Sequence, residues 1–130
     1  MATSKNQKLI LVVDDERDIV EIVTEILQGS GYRTLSAYDG HEAITLLEKH
    51  RPDAVVLDIK MPVIDGIGVI RYLRSKPALA ATPIVVLTAT QVVQEAREQF
   101  RQLGVHTWMT KPFEPDDLCA AVNQAVSRGS

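Results

Sequence analysis

Short apolar runs alternate along this chain with longer segments of helical period. Leu9-Ile10-Leu11-Val12-Val13, Ala54-Val55-Val56-Leu57 and Ile84-Val85-Val86-Leu87 are almost wholly apolar and mostly β-branched. That is the pattern of strands buried on both faces of a parallel sheet. The run over 32–37 is more polar and predicts an edge strand, and a weaker fifth run covers 107–110. A helix over 17–28 would carry Ile19, Val23, Ile26 and Leu27 on one stripe, and one over 40–50 would carry Ala43, Ile44 and Leu47. Asp65 is placed to cap a short helix running to Ser75, and a helix over 92–103 has Val92, Ala96, Phe100 and Leu103 on one face. Glu114-Pro115-Asp116-Asp117 suits the first turn of a last helix, where proline and acids are both favoured. Glycines at 29, 31 and 104 and prolines at 52 and 77 punctuate the helical segments. This alternation predicts an α/β protein of five βα units, a single doubly wound three-layer α/β/α domain over 8–127. The tails 1–7 and 128–130 are expected to lie outside it.

Composition narrows the functional classes. At 130 residues the chain can bury one sizeable core, and 45 % hydrophobic with 24 % charged residues is ordinary for a globular domain. A net charge of −3 gives no basic footprint, so direct nucleic-acid binding is not expected. No apolar run approaches the length of a membrane span, and the first residues lack the apolar core of a signal peptide. The one cysteine, Cys119, cannot form an internal disulfide and fits a reducing compartment, so the expected location is cytoplasmic.

The chemistry gathers at the ends of the apolar runs. Asp14-Asp15 follows the first, Asp58 the third, Thr88 the fourth and Lys111-Pro112 the fifth. A parallel sheet brings its strand ends to one edge, where open α/β folds place their crevice. One acid after a strand is commonly a helix cap or a solvated loop residue. Several carboxylates at one edge repel one another unless a cation lies among them. Oxygen ligands with no neighbouring histidine or thiol indicate Mg²⁺. A metal, the Lys111 ammonium and the Thr88 hydroxyl together would serve the oxygens of a phosphoryl group. Asp58, ending the strand expected at the sheet centre, is the natural acceptor. A dehalogenase-type phosphatase also forms an aspartyl-phosphate but needs an acid two residues beyond its nucleophile. Lys60 stands there, which favours a held phosphoryl group over a hydrolysed one.

The ordered set Val13-Asp14-Asp15-Glu16, Leu57-Asp58-Ile59-Lys60-Met61-Pro62, Asp65-Gly66, Leu87-Thr88-Ala89 and Lys111-Pro112-Phe113 resembles the receiver domain of bacterial two-component response regulators, of the chemotaxis-regulator type. The resemblance covers about 8–126. It implies a flavodoxin-like sheet of order 2-1-3-4-5 and a signalling switch rather than an enzyme, catalysing only its own phosphorylation and dephosphorylation. Asp58 would take a phosphoryl group from the phosphohistidine of a histidine kinase or phosphotransfer protein. Asp15, Asp58 and the Lys60 backbone carbonyl would hold Mg²⁺, with Asp14 acting largely through metal-bound water. Lys111, Thr88 and the Ala89 N–H would bind the phosphoryl oxygens, and the bond before Pro112 would be cis.

The resemblance also assigns a switch. Thr88 would move toward the phosphate, and the aromatic three positions before the lysine, here Trp108, would swing inward behind it. Receivers more often carry tyrosine or phenylalanine there, so the inward pocket must be larger or the swing incomplete. Lys60 and Thr90 occupy the positions that tune phosphoryl lifetime, and neither can position an attacking water, so slow self-dephosphorylation is expected. The surface of the fourth helix, fifth strand and last helix would meet a downstream protein, an effector domain or a second copy in a homodimer. His41, His50 and His106 are dispersed and read as surface or cap residues, Cys119 as a small packed residue, and 94–98 as a solvated helix face.

Overall fold

A computed structural model describes residues 8–105 and 107–129; the 1–7 tail, His106 and Ser130 at the end of the 128–130 tail lie outside the described residues. Five strands, β1 (Leu9–Val13), β2 (Arg33–Ala37), β3 (Ala54–Leu57), β4 (Ile84–Thr88) and β5 (Thr107–Thr110), alternate with five helices, α1 (Arg17–Gly29), α2 (Gly40–Leu47), α3 (Gly66–Ser75), α4 (Thr90–Gln102) and α5 (Pro115–Gly129). All pairings are parallel and the order is β2-β1-β3-β4-β5, as expected. The three continuous runs, β1, β3 and β4, sit side by side inside the sheet, and the more polar β2 is an edge.

Alternation along each strand divides the core between the two faces. Leu11, Val13, Val55, Leu57, Ile84 and Val86 face α2, α3 and α4, meeting Ala43, Leu47, Ile70, Leu73, Ala96 and Phe100. Ile10, Val12, Val56, Val85 and Leu87 face α1 and α5, meeting Val23, Leu27, Leu118 and Val122. The polar edge of the core is held by Arg74, whose guanidinium donates to the carbonyls of Leu103 (2.8 Å), Ala80 (3.0 Å) and Thr82 (2.8 Å). It thereby joins the end of α3 to the α3–β4 and α4–β5 connections.

Several boundaries differ from the sequence expectation. The last helix continues to Gly129, so residues 128 and 129 belong to it and not to a tail. Its inner face is still being buried at Ala125, and no residue before the glycine stops it. α2 ends at Leu47, short of His50, because the last inward side chain is Leu47 itself. α4 starts at Thr90, directly after the strand, with Ala89 as an N-cap that supplies no side-chain bond. Asp65 does cap α3, accepting from the Gly68 N–H at 3.0 Å. Among the described residues no helix is long and apolar enough to cross a membrane.

Candidate functional site

Register brings the site together. Val13 pairs with Leu57, and Leu57 pairs with Val86, so Asp14 and Asp58 leave adjacent strands side by side. Adjacent strands lie about 4.8 Å apart, close enough for their first polar side chains to share a partner. The Asp58 N–H donates to the Val13 carbonyl at 3.0 Å, and the Lys111 N–H donates to the Thr88 carbonyl at 2.9 Å, which extends the ladder by one step beyond the strands. Thr88 shares the α4-side face of β4 with Ile84 and Val86, so its hydroxyl is buried and points at Asp58.

Asp14, Asp58 and Thr88 are all buried, at 2 %, 6 % and 1 % exposure. Asp58 accepts hydrogen bonds at both oxygens. Oδ1 takes the Thr88 hydroxyl at 2.6 Å and the Lys60 N–H at 3.3 Å, and Oδ2 takes the Lys111 ammonium at 3.1 Å. The same ammonium reaches Asp14 Oδ2 at 2.8 Å and Glu16 Oε1 at 2.9 Å. Asp14 Oδ1 accepts from the Glu16 N–H at 2.9 Å. The peptide bond between Lys111 and Pro112 is cis, as the resemblance implied.

Burial dominates the electrostatics. It pushes the Asp14 carboxyl up from 3.8 to about 6, against the opposing hydrogen bonds from Lys111 and the Glu16 N–H. Burial also works against the charge of Lys111, but its hydrogen bonds to Asp14 and Glu16 outweigh that and hold its pKa above the ordinary lysine value.

One oxygen each from Asp14, Glu16 and Asp58 lies within 4.8 Å of the others. Three carboxylates facing one ammonium leave surplus negative charge in a buried setting, and every donor is a hard oxygen. The residues therefore fit a hard divalent cation such as Mg²⁺. Glu16 joins this cluster although the sequence expectation omitted it, while Asp15 is exposed and stands outside it. The signal for Glu16 was its place two residues after Asp14, where the chain turns into α1 as the N-cap and carries the side chain back over the strand end.

The remaining expected residues fall around this centre. Lys60 has an exposed side chain but a backbone N–H directed at Asp58. Ala89 and Thr90 are exposed at the start of α4. Trp108 is half-buried, its ring 5.6 Å from that of Phe100 with a 37° angle between planes. It forms part of a cleft with Arg97, Glu98, Arg101 and Val105 on the outer side of α4. His41 is exposed and His50 is half-buried, both away from the site. Cys119 is half-buried on α5 with its sulfur 3.1 Å from Ser30 Oγ.

A buried aspartate at the end of a central parallel strand, bonded by a hydroxyl and an ammonium from the next strand ends, defines a doubly wound α/β domain with an acidic site at its strand ends. Residues 10–123 match the family model of the response regulator receiver domain, and the chain belongs to that family. It is 40 % identical over 126 residues to the alkaline phosphatase synthesis transcriptional regulatory protein PhoP of Bacillus subtilis, covering 93 % of this chain and 49 % of that protein. It is 42 % identical over 121 residues to the response regulator MprA of Mycobacterium sp. (strain KMS), covering 93 % and 51 %. The chain thus spans about half the length of the curated relatives it matches. Among solved structures it is similar to the chemotaxis response regulator CheY4 of Vibrio cholerae, with a TM-score of 0.84, 30 % identity and coverage of 91 % and 98 %. It is also similar to the receiver domain of a Pseudomonas aeruginosa sensor histidine kinase with a magnesium ion coordinated in its active-site cleft, with a TM-score of 0.83, 30 % identity and coverage of 92 % and 98 %.

Proposed function

We propose that this receiver domain is a phosphorylation-dependent switch that accepts a phosphoryl group on Asp58 from the phosphohistidine of a histidine kinase or phosphotransfer protein. In the transfer, the phosphorus–nitrogen bond to imidazole breaks as a bond forms to an Asp58 carboxylate oxygen, and the imidazole takes up a proton. The observation that carries this reading is the bonding of Asp58, whose two oxygens already face the Thr88 hydroxyl and the Lys111 ammonium. Those donors can pass to the phosphoryl oxygens without being recruited from solvent, which is the preorganisation that phosphoryl transfer rewards. The Ala89 N–H, at the start of α4, is a further donor for them.

Asp14, Asp15, Asp58 and the Lys60 carbonyl are the proposed Mg²⁺ ligands, with Glu16 as an additional carboxylate supported by its position. Bound there, the cation would neutralise charge on the phosphoryl oxygens. Release of Asp58 from Thr88 and Lys111 would then draw Thr88 toward the new group and free the Trp108 side to repack. The face of α4, β5 and α5 would present that change to a downstream protein, an effector domain or a second copy. The phosphoryl group brings roughly −1.5 to −2 charges, enough to bias such a two-state element.

Incubation with acetyl phosphate and Mg²⁺, followed by intact mass measurement, tests the reading. One phosphoryl group should be added to the wild-type chain and none to Asp58→Ala. Absence of the mass gain, or its persistence in Asp58→Ala, would overturn it.

A further inference from the structure

The edge of the sheet opposite Asp58 carries a cavity of about 280 Å³. It opens where β4 and β5 begin, between the α3–β4 connection, the α4–β5 connection and the last turns of α5. β4 is five residues long, which puts the cavity roughly 15 Å from the Thr88 end of that strand. Pro83, Ile84 and Ala125 give it apolar walls, and Thr82 and Thr107 add hydroxyl-bearing side chains. Its charged residues are both cationic, Arg74 and Arg128, and among the described residues no acid lines it.

Arg74 brings to this cavity a charge that the fold does not balance. Its Nε and Nη1 donate to the carbonyls of Leu103, Ala80 and Thr82, which fix the guanidinium but carry no negative charge. No carboxylate pairs with Arg74 or Arg128 among the described residues. Burial accordingly pushes the Arg74 guanidinium below the ordinary arginine value. Nη2 makes only a 3.4 Å contact with the Gly104 carbonyl, so one of its two hydrogens is left for another acceptor. Arg128 follows Ala125 by three residues and so shares its face of α5, where it adds a second guanidinium at the mouth. A half-buried cation held by neutral groups, with a donor to spare and a second cation beside it, is a seat for an anion.

We propose that this cavity binds a small organic carboxylate, its oxygens on Arg74 Nη2 and the Arg128 guanidinium and its carbon body against Pro83, Ile84 and Ala125. Size supports the class. The volume lies just below the roughly 300 Å³ at which ligand pockets begin, which admits a short-chain acid and excludes a nucleotide. Composition supports it too, because a bare oxyanion would meet the guanidinium groups and leave the apolar walls unfilled. The site shares no residue with the acidic centre at the other end of the strands, so it stands whatever the role of Asp58.

The test titrates butyrate into the isotope-labelled full chain at constant pH and ionic strength and follows the backbone amide signals. Butyramide, of the same shape without the charge, and inorganic phosphate, an oxyanion without the carbon body, are titrated in parallel. Butyrate should shift the amides of Thr82, Gly104 and Thr107 saturably, and both controls should bind more weakly. R128E changes an exposed side chain and leaves the bonds of Arg74 in place, so the chain should stay folded. Its affinity for butyrate should fall about tenfold, the equivalent of one hydrogen bond between charged groups. Asp58→Ala should bind butyrate as the wild type does. No saturable shift at those amides, an equal response to butyramide, unchanged affinity in R128E or loss of binding in Asp58→Ala would each overturn the site. Phosphate that binds there as tightly as butyrate would overturn the assignment of an organic carboxylate.

Discussion

Asp14→Asn is expected to make the metal-free domain more stable at pH 8 while weakening its hold on Mg²⁺. The wild-type carboxyl is pushed by burial from 3.8 up to about 6, so between those values the folded state holds a proton that the unfolded state has lost. Stability therefore falls as pH rises through that window, by about 3 kcal/mol for this one group. Below pH 4 both states are protonated and the cost disappears. Asparagine is nearly isosteric with the neutral acid and has no such cost, and Lys111 keeps Asp58 and Glu16 as partners, at 3.1 and 2.9 Å. The variant should therefore gain about 1–3 kcal/mol over wild type at pH 8 and little at pH 4. Urea unfolding of both proteins in EDTA, at several pH values from 4 to 8, measures the difference directly. Saturating Mg²⁺ should stabilise the wild type more than the variant and shrink the gap, since a cation favours the ionised carboxylate. A difference that stays flat with pH, or a variant less stable than wild type at pH 8 in EDTA, would refute the reasoning.

Three further outcomes follow from the geometry. Arg74→Ala removes the donor shared by the carbonyls of Leu103, Ala80 and Thr82 and should cost about 2–4 kcal/mol in urea unfolding, a loss below 1 kcal/mol contradicting its role as a clamp. Gly66→Ala forces a methyl against the Asp58 carbonyl and the Ile59 backbone, so it should destabilise by about 2–4 kcal/mol and also lower phosphoryl uptake, both measurable on one preparation. With its exposed lysine two residues beyond Asp58, the phosphorylated wild-type chain should decay slowly, and Lys60→Asn should speed that decay severalfold; an unchanged rate would remove Lys60 from any part in setting the lifetime.

The strands, their order and the approximate helices were legible because their causes are local or nearly so. Uninterrupted apolar runs mark β1, β3 and β4 as interior strands, and the polar β2 run marks an edge. Asp65 as the cap of α3 was legible for the same reason, since a cap bonds only to its own first turn. Helix ends were less so. α5 runs on through Arg128 because an exposed last turn is ended by nothing in particular until a glycine is reached.

By itself, then, the sequence determined which side chains stand at the strand ends, and with them the class of chemistry: Asp58, Thr88 and Lys111 occupy those ends whatever the detailed packing. Tertiary structure decided the rest. Asp14, Asp15 and Glu16 are neighbouring acids that pattern cannot rank, because the path from β1 into α1 turns Asp14 and Glu16 toward Lys111 and Asp15 into solvent. Val63 reads as one more apolar residue in a loop. Only the backbone, pinned by Gly40 and Gly66, shows that it is strained and fully exposed. Chemical identity travels with the residue, whereas direction and strain are set by the chain segments packed around it.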